Sequence, residues 1–591
     1  MQGRRQGMIS LGERTGKAMR RVGLLDRLTI RWLAQRTQPR ALIWEPEPRM
    51  IGSYAAGRQM LDGRFLVNGE LLESSAGVPF SIQSGPVQAV LHSFAWLDDL
   101  AAVGDVQARR FAQAALNDWL ARFGLGASTG WSTQTVGRRA LRWLGHALFL
   151  MQDMDTSTQR RFLKSLSIQA AFLERRAARA PLGLARIECH VALLHAALAL
   201  DGMSGLVETA VTQLVDATRA HIAPDGSIAT RNPEDLLCAF ELLCWGAQAL
   251  SDHQRPLPKA LVGYLDATAA TLRSLHHADG SLARFHGGGR GRQGALSAAL
   301  AIQSRLGVAF VKPGSGKAMG FARLSAGRST VIIDAAPPPI GVPGACAHAS
   351  TLGFELTSNR RPLIVSCGDG GSFGTEWRRA SRATALHSTL ALEGFSSSRF
   401  SGRSSDDGAF SEGPKHVQVE FRHAPYARAA LLSHDGYAAS HGLEHIRYLD
   451  LSSDGRILTG EDTLVATTRA EQRRFADILA RSNQAGIPFA LRFHLHPDTK
   501  PALDQTQTAV LVQLRSGETW EFRAAGQVLS LAPSVYLDAG CAKPQASQQI
   551  VLSSRASDYT TQINWTLAKA PDTPIALRDL EQDNPLAVPR L

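Results

Sequence analysis

Residues 344–390 bring two histidines, two cysteines and a cluster of arginines into one short span, GACAHASTLGFELTSNRRPLIVSCGDGGSFGTEWRRASRATALHSTL. An imidazole can take or give a proton near neutral pH, or ligate a metal through either nitrogen. His348 and His387 can therefore move protons. They can also share a zinc ion with a carboxylate or with the nearest thiols, Cys346 and Cys367. The runs LGFEL and PLIVS are short, apolar and bounded by turn residues, so they read as strands. The turn at 367–374 is Gly-rich and too polar for a core. Histidines at the two ends of a strand–loop–strand unit can meet in space. Arg378, Arg379 and Arg382 of WRRASRATALHS can bind an anionic sugar, or act as edge-strand charges that discourage aggregation.

Other polar groups lie elsewhere in the chain. WSTQTVGRRALRW (131–143) places Arg138 and Arg139 where they can grip a carboxylate in bidentate fashion, or stand as solvated arginines on a helix. DGSIATRNPEDLL (225–237) offers Arg231, Asn232 and Asp235. Asn232 can instead cap a helix that starts near Glu234. His190 and His195 on ECHVALLHAALAL can serve as a catalytic imidazole, or stand as packed or surface residues, the reading preferred. His434 and Tyr437 supply an imidazole and a phenol. His494 and His496 share one strand face by period two, either a pair of metal ligands with no evident third or a structural arrangement.

The elements that must position these groups change character along the chain. From residue 92 to about 306, apolar residues recur at i, i+3, i+4 and i+7 in eight or so Ala- and Leu-rich segments, which predicts paired helices. PDGSIATRNPED and ADGSLARFHGG form a weak internal repeat spaced like a helical hairpin. From residue 319 the period becomes two, over many short runs that predict a β-sandwich. Residues 41–93 read as a strand-rich lead-in. The organisation expected is a basic arm (1–40), the lead-in (41–93), a helical domain (94–306) and a β-domain (319–591).

At 591 residues the chain is too long for one compact core. Charged residues are 20% and hydrophobic ones 44%, an ordinary globular balance with no apolar run of membrane-spanning length. Of the net charge of +12, most sits in residues 1–40, where ten Lys/Arg oppose Glu13 and Asp26. Leu25, Leu28 and Trp32 there, with Arg27, Arg31 and Arg36, suit either an amphipathic helix on anionic lipid or a packed helix with a solvated basic face. No nucleic-acid partner is expected. No signal peptide is evident, and the six scattered cysteines form no CxxC or disulfide framework, so a cytoplasmic location is expected.

The stretch 344–390 resembles the C-terminal domain of the heparinase II/III-like family. There the pattern is His-Gly-His-Ala-Asp, a strand, an Asp-Pro-Gly-like turn, and a basic segment leading to an aHst or aHnt motif. In this chain Cys346 stands at the first His, His348 at the second, Ser350 at the Asp, Ser366 at about the Asp of the turn and His387 at the last His. WSTQTVGRRALRW resembles the family's W-x-p-Y-x-v-s-x-R-i-x-n-W. DGSIATRNPEDLL resembles its dGg…e.sp.Yh segment, with the family's Tyr falling at about Asp235. The resemblance covers roughly residues 40–590 and implies an α+β multidomain fold: an incomplete α/α toroid followed by an antiparallel β-sandwich. It further implies a polysaccharide lyase cleaving a uronate-containing glycan by β-elimination. On that reading His348, His387, Tyr437 and Asp235 are the catalytic candidates. Trp131, Arg138, Arg139, Arg231, Asn232, Arg378 and Arg382 are the substrate-binding ones, and His348 and His387 would hold zinc. The alternative is a catalytically idle carbohydrate-binding or envelope-biogenesis protein on the same fold, with the basic arm touching a membrane. Many relatives are periplasmic.

Overall fold

The computed structural model describes residues 24–571 apart from 49, 51, 83–84, 127–128, 308–315, 401–407 and 425–426, together with 573 and 579. The first 23 residues of the basic arm lie outside that range. The chain forms two compact units, the first from residues within 1–228, 235–270 and 292–311, the second from residues within 229–234, 271–291 and 312–591.

The first unit is helical. Its elements are α1 (Leu24–Arg36), α2 (Tyr54–Leu61), the hairpin β1 (Arg64–Val67) and β2 (Glu70–Glu73), α3 (Gly85–His92), α4 (Leu97–Val103), α5 (Val106–Phe123), α6 (Thr133–Gly145), α7 (Ala147–Met151), α8 (Thr156–Arg176), α9 (Leu184–Ala199) and α10 (Val207–His221). Most of α11 (Pro233–Asp252) and α12 (Lys259–Ser274) follows, then α13 (Ala295–Arg305). The helices from α4 to α12 are the segments that the 3.6-residue period predicts. Nearly every side chain of α9 is buried, which marks a core helix rather than an amphipathic one. Gly137 of α6 lets that helix approach α9: a Cβ there would sit 3.2 Å from Cys189.

The lead-in is less extended than its composition suggests. GRFLVNGELLE is the β1–β2 hairpin, turned by Asn68 and Gly69 at φ 50° and 77°. RALIWEPEP contributes only a bridge from Leu42 to Leu200, the described residues of GVPFSIQS form no strand, and YAAGRQML is a helix capped by Ser53. The two Asp-Gly-Ser segments have the same local structure. Asp225 accepts from the Ser227 amide and hydroxyl (3.0 and 2.6 Å), and Asp279 does the same for Ser281 (2.9 and 2.6 Å).

The second unit is built on antiparallel sheets. One has five strands, β3 (Gly316–Ala318), β4 (Phe321–Ala326), β5 (Ser329–Asp334), β6 (Phe354–Ser358) and β7 (Arg361–Ile364), in sequential order. The short helix α14 (Thr375–Ala380) leads to β8 (Leu390–Leu392). Then come β9 (Val417–Ala424), β10 (Ala427–Tyr437), β11 (Leu443–Ser452), β12 (Ile457–Val465), α15 (Arg469–Arg481), β13 (Ile487–His494), β14 (Lys500–Leu503), β15 (Ala509–Gln513), β16 (Thr519–Ala524), β17 (Leu529–Tyr536), β18 (Gln545–Ala556) and β19 (Thr560–Lys569). They make an eight-stranded sheet, β14-β15-β16-β19-β12-β11-β10-β9, and a four-stranded one, β17-β18-β13-β8. Side chains of all three sheets share one apolar core. β11 alternates buried and half-buried residues, as a strand with one wet face does, whereas β5 and β6 are buried throughout.

Candidate functional site

Three imidazoles, not two, meet in the second unit. His348 lies two residues past the 3₁₀ turn Val342–Cys346, and His387 directly follows the 3₁₀ turn Thr384–Leu386. Their ring centres are 5.0 Å apart, and the His286 ring lies 6.1 Å from that of His348. All three are buried. The His348 amide donates to His286 Nδ1 at 3.1 Å, and the Gly287 amide donates to His348 Nε2 at 3.1 Å. Only an unprotonated ring nitrogen accepts, so both rings are held neutral. His387 Nδ1 lies 2.6 Å from the Ser366 hydroxyl. Burial lowers the proton affinity of all three rings, taking His387 to about 3.

Asp334, at the end of β5, anchors the cluster. Its carboxylate accepts from Arg231 at 2.5 Å and from the Ser350 hydroxyl at 2.7 Å, and lies 3.4 Å from His286 Nε2. Burial alone would raise its proton affinity, but Arg231 and its other partners hold it well below the ordinary carboxylate range. Arg231 and His286 adopt φ of 53° and 52°, a conformation unusual for bulky residues.

The structure places the other sequence candidates as follows. Arg231, expected to bind substrate, also donates to the carbonyls of Met319, Gly320, Ala336 and Pro337, so it is the counter-ion of Asp334. Asn232 Oδ1 accepts from the Glu234 amide at 2.9 Å, the capping role. Asp235 is half-buried in the first turn of α11. Trp131 is buried in the first unit, its indole donating to the Phe123 carbonyl. Arg139 is also buried there. It donates to Gln169 and to the carbonyls of Gly130 and His92, with its guanidinium 4.1 Å from the centre of the Trp119 ring. Neither of these two presents a face to a ligand. Arg138 is partly exposed and paired with Glu188 at 2.8 Å. Tyr437, expected in proton transfer, sits in the apolar core with its hydroxyl on the Leu390 carbonyl, and burial raises its proton affinity. Arg382 braces the carbonyls of Gly344, Ala347 and Gly408. Arg378 is half-buried, 3.9 Å from the exposed Cys346 thiol.

Sequence reasoning missed His286 and Asp334. His286 stands in ADGSLARFHGG, a segment read for its repeat rather than for its imidazole. The available signal for Asp334 was a carboxylate ending the otherwise apolar strand STVIID.

Residues 312–566 match the family model described as Heparinase II/III-like, C-terminal. FtsZ-localized protein C of Caulobacter vibrioides (strain NA1000 / CB15N) is 31% identical over 549 residues, covering 90% of this chain and 91% of that protein. The chain belongs to the heparinase II/III-like family. Its fold is that of the solved heparinase III, with a TM-score of 0.65 at 14% identity over 92% of this chain and 89% of that one. A heparan sulfate lyase HepC mutant from Pedobacter heparinus gives 0.58 at 16% identity over 94% and 88%. The architecture is thus the expected helical toroid followed by an antiparallel β-sandwich. Within this heparinase II/III-like chain, the zinc set implied by the family does not fit. Ser366 stands at about the place of the metal-binding carboxylate, and its hydroxyl is bonded to His387. Among the described residues no three His, Cys, Asp or Glu side chains come together as a metal-binding group.

Proposed function

We propose that this chain works in envelope biogenesis on a lyase fold, and that an acidic glycan meeting it is bound rather than cleaved. The carrying observation is the burial of His286, His348 and His387. β-Elimination from a uronate needs a base that reaches the proton α to the carboxylate and an acid at the leaving oxygen. The positions matching the family's first His and its Tyr hold Cys346 and Asp235, and Tyr437 is enclosed in the core. The relative named FtsZ-localized protein C supports a place in the cell-division machinery. Six free cysteines support a cytoplasmic location. The exposed Arg27, Leu28, Arg31 and Trp32 of α1 support contact with an anionic membrane surface.

The test is ultraviolet absorbance of unsaturated uronate in purified protein mixed with heparan-type, chondroitin-type and alginate chains, with and without zinc. Glycan binding is followed in parallel. Retention without a rise in absorbance is expected. A second reading, an active lyase for such glycans, is favoured by the likeness to heparinase III. A rise abolished by His348→Ala or His387→Ala would replace the first reading with it. Flotation with phosphatidylglycerol vesicles checks the membrane contact, and an equal soluble fraction with neutral vesicles would remove it.

A further inference from the structure

A cleft of about 450 Å³ opens in the first unit at the C-terminal end of α6. Glu45, Glu47, Asp98, Ala102, His146 and Phe149 are among its lining residues. A recess of about 30 Å³, bordered by the same Pro46-Glu47-Pro48 strap, reaches Arg142 and Trp245. That is room for one oxygen-sized group.

The recess is chemically built. Asp98, Arg142 and His146 are all more than nine-tenths buried. His146 Nε2 lies 2.9 Å from Asp98 Oδ1. Arg142 Nε lies 3.4 Å from Asp98 Oδ2 and makes no hydrogen bond, a buried donor that is unfavourable to leave unmet. A carboxylate, a guanidinium and an imidazole around a one-oxygen recess can orient adjacent hydroxyls. The lining carboxylates of Glu45 and Glu47, both on exposed residues, favour a cation and oppose a uronate or a sulfate. The cleft is about 18 Å along α6 from the Trp131 end of that helix.

We propose that this cleft binds an amino sugar. Its hydroxyls meet Asp98, Arg142 and His146, one of them enters the recess beside Trp245, and its ammonium lies by Glu45 and Glu47. The site is independent of the envelope reading above, and either can fail alone.

Calorimetric titration of the full chain with a glucosamine tetramer tests it. The tetramer should bind. The double variant Glu45→Gln/Glu47→Gln should weaken binding about tenfold, as loss of a charge-assisted contact does, and the N-acetylated tetramer should be weaker by about the same factor. Ala102→Trp, at an exposed helical position lining the cleft, should block binding while leaving thermal unfolding unchanged. Spermidine, an amine without hydroxyls, should not compete. No binding of the tetramer, binding unmoved by the glutamine pair or by Ala102→Trp, or displacement by spermidine would each overturn the proposal.

Discussion

The three neutral imidazoles tie folding to pH. In the unfolded chain each ring takes a proton near pH 6.5, whereas in the folded chain burial holds His387 down to about 3 and lowers His286 and His348 as well. As pH falls below about 6.5 the unfolded state gains protons that the folded state refuses, so stability drops by up to about 1.4 kcal/mol per pH unit for each ring. Asp334 acts lower down. Its depressed affinity stabilises the fold above about pH 4, and that contribution fades as pH falls further. Urea midpoints should therefore decline from pH 7.5 to 5, with a shallower slope in His387→Gln; a flat profile for the native chain would contradict the assignment. Asp334→Asn leaves Arg231 buried beside a neutral amide and should destabilise by about 3 kcal/mol, measured as a urea midpoint at pH 7.5. His348 and His387 were legible by residue type and motif. His286 was not, because nothing local in FHGGG shows that the backbone at φ 52° turns its ring toward a segment some 60 residues on.

Most elements were legible because their burial follows one period. The nearly fully buried α9 and the alternating β11 are the two limits of that signal. The lead-in failed where pieces are short. The eight residues of α2 hold too few turns for a periodic pattern, and their start is set by the Ser53 side chain accepting from the Ala56 amide. Strand pairing adds a constraint invisible in one strand alone. Gly460 of β12 faces Trp565 of β19, and a Cβ on Gly460 would come within 2.0 Å of the indole. Gly460→Ala should therefore destabilise by about 2 kcal/mol or more, read from chemical denaturation, and an unchanged midpoint would mean the indole can move aside.

At the scale of the whole molecule, the fold class was legible through family motifs spread over both units, and the chemistry was not, since the motifs survive with several polar positions changed. The net charge of +12 makes any acidic-glycan affinity salt-dependent. Binding of a heparan oligosaccharide should weaken roughly tenfold between about 0.1 and 1 M salt, where screening shortens from about 10 to 3 Å; a salt-independent affinity would point to apolar recognition instead. The tryptophans give the first unit a spectroscopic signature of its own. In the first unit Trp119 lies 5.4 Å from Trp143, at 90°, and 6.1 Å from Trp131, close enough for the indole transitions to couple and produce a strong near-ultraviolet circular dichroism band. In the second, Trp565 stacks between Phe354 and Phe522 with its N–H on Asp462, which favours blue-shifted emission. Near-ultraviolet dichroism of the Trp119 cluster can thus follow the melting of the toroid in an unlabelled sample.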